Sequence, residues 1–167
     1  EIPLPANPPP LRGLAYDPKS GRLYALAPAT GELLELAADG TLLLAASDCE
    51  IYGSTLVFEP QYRNLGYWSS LDDHAVWTIE IARPGKYAVE FDWACDASVA
   101  GNPWRLESAG GNLTGAVEST RNWDTYRQKK VGEVTLAAGR QRLVLRPTEK
   151  PQGAMIDLKA VRLMQLR

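Results

Sequence analysis

The sequence predicts an all-β chain: a jelly-roll β-sandwich preceded by an N-terminal four-stranded, blade-like β-meander. Three observations predict it. Two alternating runs meet at a Pro-Gly turn in mid-chain. About nine strand-like segments follow one another from residue 46 onward, with turns at regular spacing. Continuous helix-period patterning is absent.

The head, Pro3 to Pro10 (PLPANPPP), carries too many prolines for sheet or helix, so residues 1–10 are expected to be an extended lead-in. Residues 11–45 then hold three short apolar runs, 11–16, 22–26 and 32–36. They are separated by the turns Asp17-Pro18-Lys19-Ser20-Gly21 and Pro28-Ala29-Thr30-Gly31. A fourth run, 41–44, follows Asp39-Gly40. Four strands in about 35 residues make a meander of the size of one propeller blade. The stretch GLAYDPKSGRLYALAPATGELLELAADG resembles a single blade of the six-bladed gluconolactonase-like and NHL-repeat propellers. It has no second copy in the chain, and one blade cannot bury both its faces. The segment is therefore expected to pack on the sandwich, to associate with copies of itself or a partner chain, or to complete a propeller supplied elsewhere.

Residues 46–167 read as the sandwich, with strands expected over 50–52, 56–58, 75–81, 86–94, 104–107, 112–118, 126–136, 140–146 and 154–164. In the central pair, Trp77, Ile79 and Ile81 alternate with Thr78 and Glu80. Beyond the turn, Tyr87, Val89, Phe91 and Trp93 alternate with Lys86, Ala88, Glu90 and Asp92. A period of two means half-buried antiparallel strands, and Arg83-Pro84-Gly85-Lys86 is read as a turn folding one run back on the other. The aromatic face needs a second sheet over it. Ala137-Ala138-Gly139 makes a similar turn later in the chain.

Composition limits the function classes. At 167 residues, with 45% hydrophobic and 23% charged residues, the chain holds one domain or a domain plus a smaller element. A net charge of −2 gives no electrostatic case for nucleic acid or an anionic membrane. No apolar run approaches the ~20 residues of a membrane span. The start, Glu1-Ile2-Pro3, does not read as a leader; it is expected to be a mature N-terminus or a cut within a longer chain. Cys49 and Cys95 are either two free buried thiols or one disulfide. With one His in the chain, read as part of a surface turn, a triad or a His-rich metal centre is nearly excluded, and no G-x-S-x-G, P-loop or dinucleotide fingerprint occurs. A carboxylate-pair glycosidase has no pair that stands out. The chain is read as a non-enzyme.

Over residues 49–164 the order of features resembles the galactose-binding-domain-like sandwiches, in particular carbohydrate-binding modules of families 6 and 35. The residues that carry the likeness are Cys49-Glu50-Ile51-Tyr52-Gly53, Phe58-Glu59, Gly66-Tyr67-Trp68, Trp77, Pro84-Gly85-Lys86-Tyr87 and Asp92-Trp93-Ala94. They continue with Thr120 to Tyr126, Val134 to Gly139, and Met155 to Leu163. The resemblance implies aromatic rings in end loops that stack on a sugar. At the matching positions stand Trp123 and Tyr126 of a T-x-x-W-x-x-Y segment, and Trp68, preceded by Tyr62 and Tyr67. It also implies a structural calcium between an early acidic residue, here Glu50 or Glu59, and Asp157 in the last strand. The usual acidic pair on the opening strand is missing. Such modules belong to larger secreted proteins, which with the Cys pair and Pro-rich head gives an extracytoplasmic location.

Sugar binding needs flat apolar faces and a few polar groups. Arg121-Asn122-Trp123-Asp124 and Tyr67-Trp68-Ser69-Ser70-Leu71-Asp72-Asp73 both supply that mixture. Against it, Trp68 and Trp123 would equally cap the core, with the polar neighbours forming turns. Trp77 and Trp93 read as core, Trp104 as core or rim, and Asp72-Asp73-His74 as a surface turn. The basic run Arg127-Gln128-Lys129-Lys130 is a solvated face or a means of recognising acidic polysaccharides. The expectation is a non-catalytic carbohydrate-binding module acting through Trp68, Trp123 and Tyr126, with Asp72, Asp73, Asn122, Asp124 and Arg127 as polar partners. The alternative is a structural or protein-interaction domain of the same fold without a sugar site, assembling through residues 11–45.

Overall fold

The computed structural model describes residues 12–17, 22–27, 32–36 and 41–166. Strands β1 (Arg12–Asp17), β2 (Arg22–Ala27) and β3 (Glu32–Leu36) form a three-stranded antiparallel sheet in the order β1-β2-β3. The expected lead-in and the turns at 18–21 and 28–31 lie outside the described residues. The fourth run departs from the four-stranded expectation. As β4 (Leu42–Ala45) it pairs antiparallel with the last strand of the sandwich, Leu44 opposite Val161 and Leu42 opposite Leu163. Leu44 is buried in the sandwich core, and that burial draws the strand away from the meander.

After β4 come β5 (Glu50–Tyr52), β6 (Val57–Glu59), β7 (Asn64–Gly66), β8 (His74–Ile81) and β9 (Gly85–Ala94). They are followed by β10 (Pro103–Ser108), β11 (Gly111–Ala116), β12 (Arg127–Leu136), β13 (Gly139–Pro147) and β14 (Asp157–Gln165). One sheet runs β11-β10-β13-β8-β5. The other runs β12-β9-β14-β7-β6, with β4 also on β14. Two antiparallel sheets face each other: a β-sandwich. Short 3₁₀ turns at Ala46–Asp48 and Ala97–Val99 complete the described elements.

The Pro-Gly turn does not make a hairpin. β8 pairs with β13 and β5, whereas β9 pairs with β12 and β14, so residues 82–84 carry the chain from one sheet to the other. The aromatic face of β9 and the apolar face of β8 thus look at each other across the core, not along one sheet. Ala137-Ala138 makes the same crossing between β12 and β13. Within the sandwich, the hairpins are β6–β7 and β10–β11. β7 goes unannounced in the sequence, because Asn64-Leu65-Gly66 holds a single apolar residue and shows no alternation.

Between the sheets lie Trp77, Ile79, Ile81, Trp104, Leu106, Leu143 and Leu145 from one side, and Tyr87, Val89, Phe91, Trp93, Leu136 and Leu163 from the other. Burial of each large apolar side chain contributes roughly 2–3 kcal/mol before entropy is counted. Phe91 and Trp104 meet across the sheets with ring centroids 4.8 Å apart. Buried indoles need an acceptor. Trp77 Nε1 donates to the Ala45 carbonyl (2.8 Å) and Trp93 Nε1 to the Glu118 carbonyl (2.9 Å). Cys49 and Cys95 are free thiols; burial, the leading cause in both, pushes Cys49 up to about 12 and Cys95 up to about 11.

Candidate functional site

A cleft of about 680 Å³ opens where the β6–β7 hairpin, the loop before β12 and the start of β14 come together. Tyr62, Tyr67, Trp123 and Tyr126 supply aromatic walls; Glu59, Asp124, Asp157 and Lys159 supply charge. Each is placed by its own piece of backbone. The hairpin loop is tied by Tyr62 N and Arg63 N, which both donate to the Glu59 carbonyl (3.1 and 2.8 Å). Tyr67 sits at φ +57°, a left-handed conformation that costs a side-chain-bearing residue on the order of 1–2 kcal/mol. Its ring is left 64% exposed.

The Trp123 loop is stitched to the end of β9. Thr120 N donates to the Cys95 carbonyl (3.0 Å), Cys95 N to Thr120 Oγ1 (2.8 Å) and Ala97 N to the Arg121 carbonyl (3.2 Å). Asn122 Oδ1 accepts from the backbone N–H groups of Asp124 (3.0 Å) and Thr125 (2.9 Å). Asn122 is therefore the brace of the turn that presents Trp123 and Asp124, and does not line the cleft as a polar partner. At the far wall, the β14 register shifts between Leu158 and Ala160, which face Trp93 and Asp92 in succession. Lys159 is the extra residue of this bulge, and its Nζ lies 3.4 Å from the Tyr126 ring centroid.

The floor is acidic. A Cβ placed on Gly66 would collide with the Glu59 carboxylate and press on Asp157 Oδ1 at 3.1 Å, so both carboxylates converge on this glycine. Asn64, wholly buried, donates through Nδ2 to Glu59 Oε2 (3.1 Å), while its Oδ1 has no partner. Burial, and then the Glu59 charge, push the Asp157 carboxyl up to about 7. The Tyr126 phenol is raised by burial first, then by Asp157, Glu59, Asp92 and Asp124, so it stays a neutral hydroxyl.

Several expected site residues lie elsewhere. Trp68 is 0% exposed and donates from Nε1 to the Asp73 carbonyl (3.1 Å), which corrects its expected place at the rim. Asp73 is also 0% exposed. Its carboxylate accepts from Ser54 N, Thr55 N, Thr55 Oγ1, Ser69 N and Ser70 N, clamping two loops together. Asp72 is exposed outside the cleft lining, and Arg127 pairs with Glu118 at 3.4 Å. Glu50 stands on the other sheet, accepts from the Tyr52 hydroxyl and faces Arg142 at 3.5 Å. That separates Glu50 from Asp157. Two carboxylates remain for the calcium implied by the resemblance, and no group of three His, Cys, Asp or Glu able to hold a metal occurs among the described residues. Calcium takes 6–8 oxygens, so Glu59 and Asp157 would hold it only together with further oxygens from backbone carbonyls, amides or water. Lys159 was not signalled by the sequence; a bulge has no residue pattern.

No sequence-family pattern matches the chain, and no curated protein matches it. Solved structures do. A CBM35 module from Cellvibrio japonicus superposes with TM-score 0.62 at 16% identity, over 76% of this chain and 94% of that one. A family 35 carbohydrate-binding module from Clostridium thermocellum gives TM-score 0.60 at 15% identity, over 75% and 98%. The carbohydrate-binding module of Cellvibrio mixtus lichenase 5A, solved with cellotriose, gives TM-score 0.60 at 20% identity, over 75% and 98%. At these identities the likeness establishes the β-sandwich fold.

Proposed function

We propose that the chain is a non-catalytic carbohydrate-binding module whose ligand lies in the cleft between Tyr62 and Tyr67 on one side and Trp123 and Tyr126 on the other. The observation that carries this reading is the cleft itself: four aromatic rings beside three carboxylates and an ammonium, in one open space of about 680 Å³. Sugar rings offer apolar C–H faces to such walls and hydroxyls to such polar groups. The fold shared with carbohydrate-binding modules, one of them solved with cellotriose, supports it. The ligand residues are then Trp123, Tyr126 and Asp124 from the sequence expectation, joined by Tyr62, Tyr67, Glu59, Asp157 and Lys159.

The test uses the chain's own indoles. Trp68, Trp77, Trp93 and Trp104 are buried, and Trp123 alone of the tryptophans lines the cleft. A saccharide entering it should change tryptophan fluorescence, and Trp123→Ala should abolish both that change and the binding heat. A panel of neutral, acidic and amino oligosaccharides that leaves fluorescence and calorimetry flat sinks the reading. Cell-wall and matrix polysaccharides lie outside cells, which supports an extracytoplasmic location within a larger protein. The three-stranded sheet β1–β3, hydrogen-bonded apart from the sandwich sheets, is then the element available for assembly with a partner or another copy.

A further inference from the structure

We propose that the cleft selects a saccharide carrying a protonated amine, a glucosamine-type amino sugar, over neutral and acidic glycans. The inference rests on the cleft being a sugar site and adds the charge of the ligand. Among the lining residues, Glu59, Asp124 and Asp157 are acidic and Lys159 alone is basic. Asp92, close enough to Tyr126 to raise its phenol, is paired with Arg162 at 3.9 Å, so the acidic character of the cleft rests on its three lining carboxylates.

The cations that would favour an acidic glycan are engaged elsewhere. Lys129 Nζ and Arg127 both pair with Glu118, at 2.7 and 3.4 Å, and Lys130 Nζ pairs with Glu133 at 2.6 Å. None of these three lines the cleft. Glu59 and Asp157, by contrast, converge on Gly66, and among the described residues neither is in an ion pair with a Lys or Arg. Asn64 Nδ2 donates to Glu59 Oε2 (3.1 Å), the same oxygen that crowds Gly66, which fixes this carboxylate beside Asp157. The molecule already shows that an ammonium suits these walls: Lys159 Nζ rests over the Tyr126 ring. A ligand amine seated on the carboxylate pair would gain charge-assisted hydrogen bonds and the adjoining aromatic faces. An N-acetyl group or a hydroxyl at that position forfeits the charge. A carboxylated sugar meets repulsion.

Isothermal titration of the full chain compares short glucosamine oligomers with their N-acetylated forms, with cello-oligosaccharides and with oligogalacturonate. A charge-assisted contact on a partly solvated pair supports at least about tenfold tighter binding of the amine form. That ratio should shrink as salt rises from about 0.02 M to about 0.5 M, where screening is strong. It should also fall to within about twofold in Glu59→Gln/Asp157→Asn, with melting curves confirming that the variant folds. Equal binding of amine and neutral oligomers, tightest binding of oligogalacturonate, or a preference that survives in the double variant overturns the proposal. So does a calcium-dependent rise in melting temperature that Asp157→Asn removes, with no amine preference, because the pair would then serve a metal. In each of these cases Trp123→Ala still reports on the sugar site. Silence toward every oligosaccharide removes the site as well as its charge selectivity.

Discussion

Tyr67 and Trp68 are neighbours in sequence and opposites in space: Tyr67 is 64% exposed on the cleft wall, Trp68 0% exposed beneath it. The left-handed backbone at Tyr67 accompanies the divergence. Trp68 is held on the inside by its indole bond to the Asp73 carbonyl and by its own carbonyl, which accepts from Met155 N at 2.8 Å. The two rings should therefore separate binding from stability. Tyr67→Gly relieves the left-handed strain, so the melting temperature should hold or rise slightly. Sugar affinity should nonetheless drop by roughly three- to tenfold, the worth of one stacked ring. Trp68→Ala should cost about 3–5 kcal/mol in denaturant unfolding. If Tyr67→Gly binds sugar as tightly as the parent chain, Tyr67 is not a ligand residue.

Among the described residues no cation pairs with Asp73, and its carboxylate stabilises through the hydrogen bonds it accepts. Burial alone would raise its carboxyl, but hydrogen bonds from the Thr55 side chain and the backbone of Thr55, Ser70 and Leu56 outweigh burial and hold it below its ordinary value. A lowered value means stability that is present above the unfolded pKa of about 3.9 and is lost as pH falls through the folded value. Asp73→Ala strips the acceptor from Ser54 N, Thr55 N, Ser69 N and Ser70 N, at a cost on the order of 3–5 kcal/mol. Its unfolding free energy should also decline less steeply than the parent's below about pH 4. An unchanged acid limb would refute this account of the residue.

Trp77, Trp93, Asp73 and Trp68 mark what a sequence can and cannot disclose. Alternation exposed the large strands, because Trp77 and Trp93 repeat with period two and bury accordingly. It could not say that the Pro-Gly turn joins different sheets: a turn with the same residues serves a hairpin or a crossing, and the partner strands decide. Asp73 reads as a surface residue in the run Leu71-Asp72-Asp73-His74, since nothing local reveals donors arriving from Ser54 and Thr55. Trp68 lies in a loop with no period to assign it a face. Trp123 and Tyr126 stood out because T-x-x-W-x-x-Y resembles a known segment, and both line the cleft. Lys159 was not, because its position depends on a register shift against β9.

Asp157 should tilt the pH dependence of stability in the direction opposite to Asp73. Its carboxyl is pushed up to about 7 by burial and then by Glu59, against an unfolded value of about 3.9. The folded state therefore keeps a proton that the unfolded chain has lost. Stability from this proton is complete below about pH 4, declines as pH rises toward 7, and is flat above it. Asp157→Asn replaces the carboxyl with a group that never ionises, so the variant should lose that decline. Compared at pH 5 and pH 8, the parent melting temperature should fall more than the variant's, and at pH 8 the variant should be the more stable of the two. Glu59→Gln should act the same way more weakly, since it removes the second cause and leaves burial in place. Parallel pH profiles for the parent and Asp157→Asn would mean that the two carboxylates are solvated independently, and the acidic floor of the cleft would lose its physical basis.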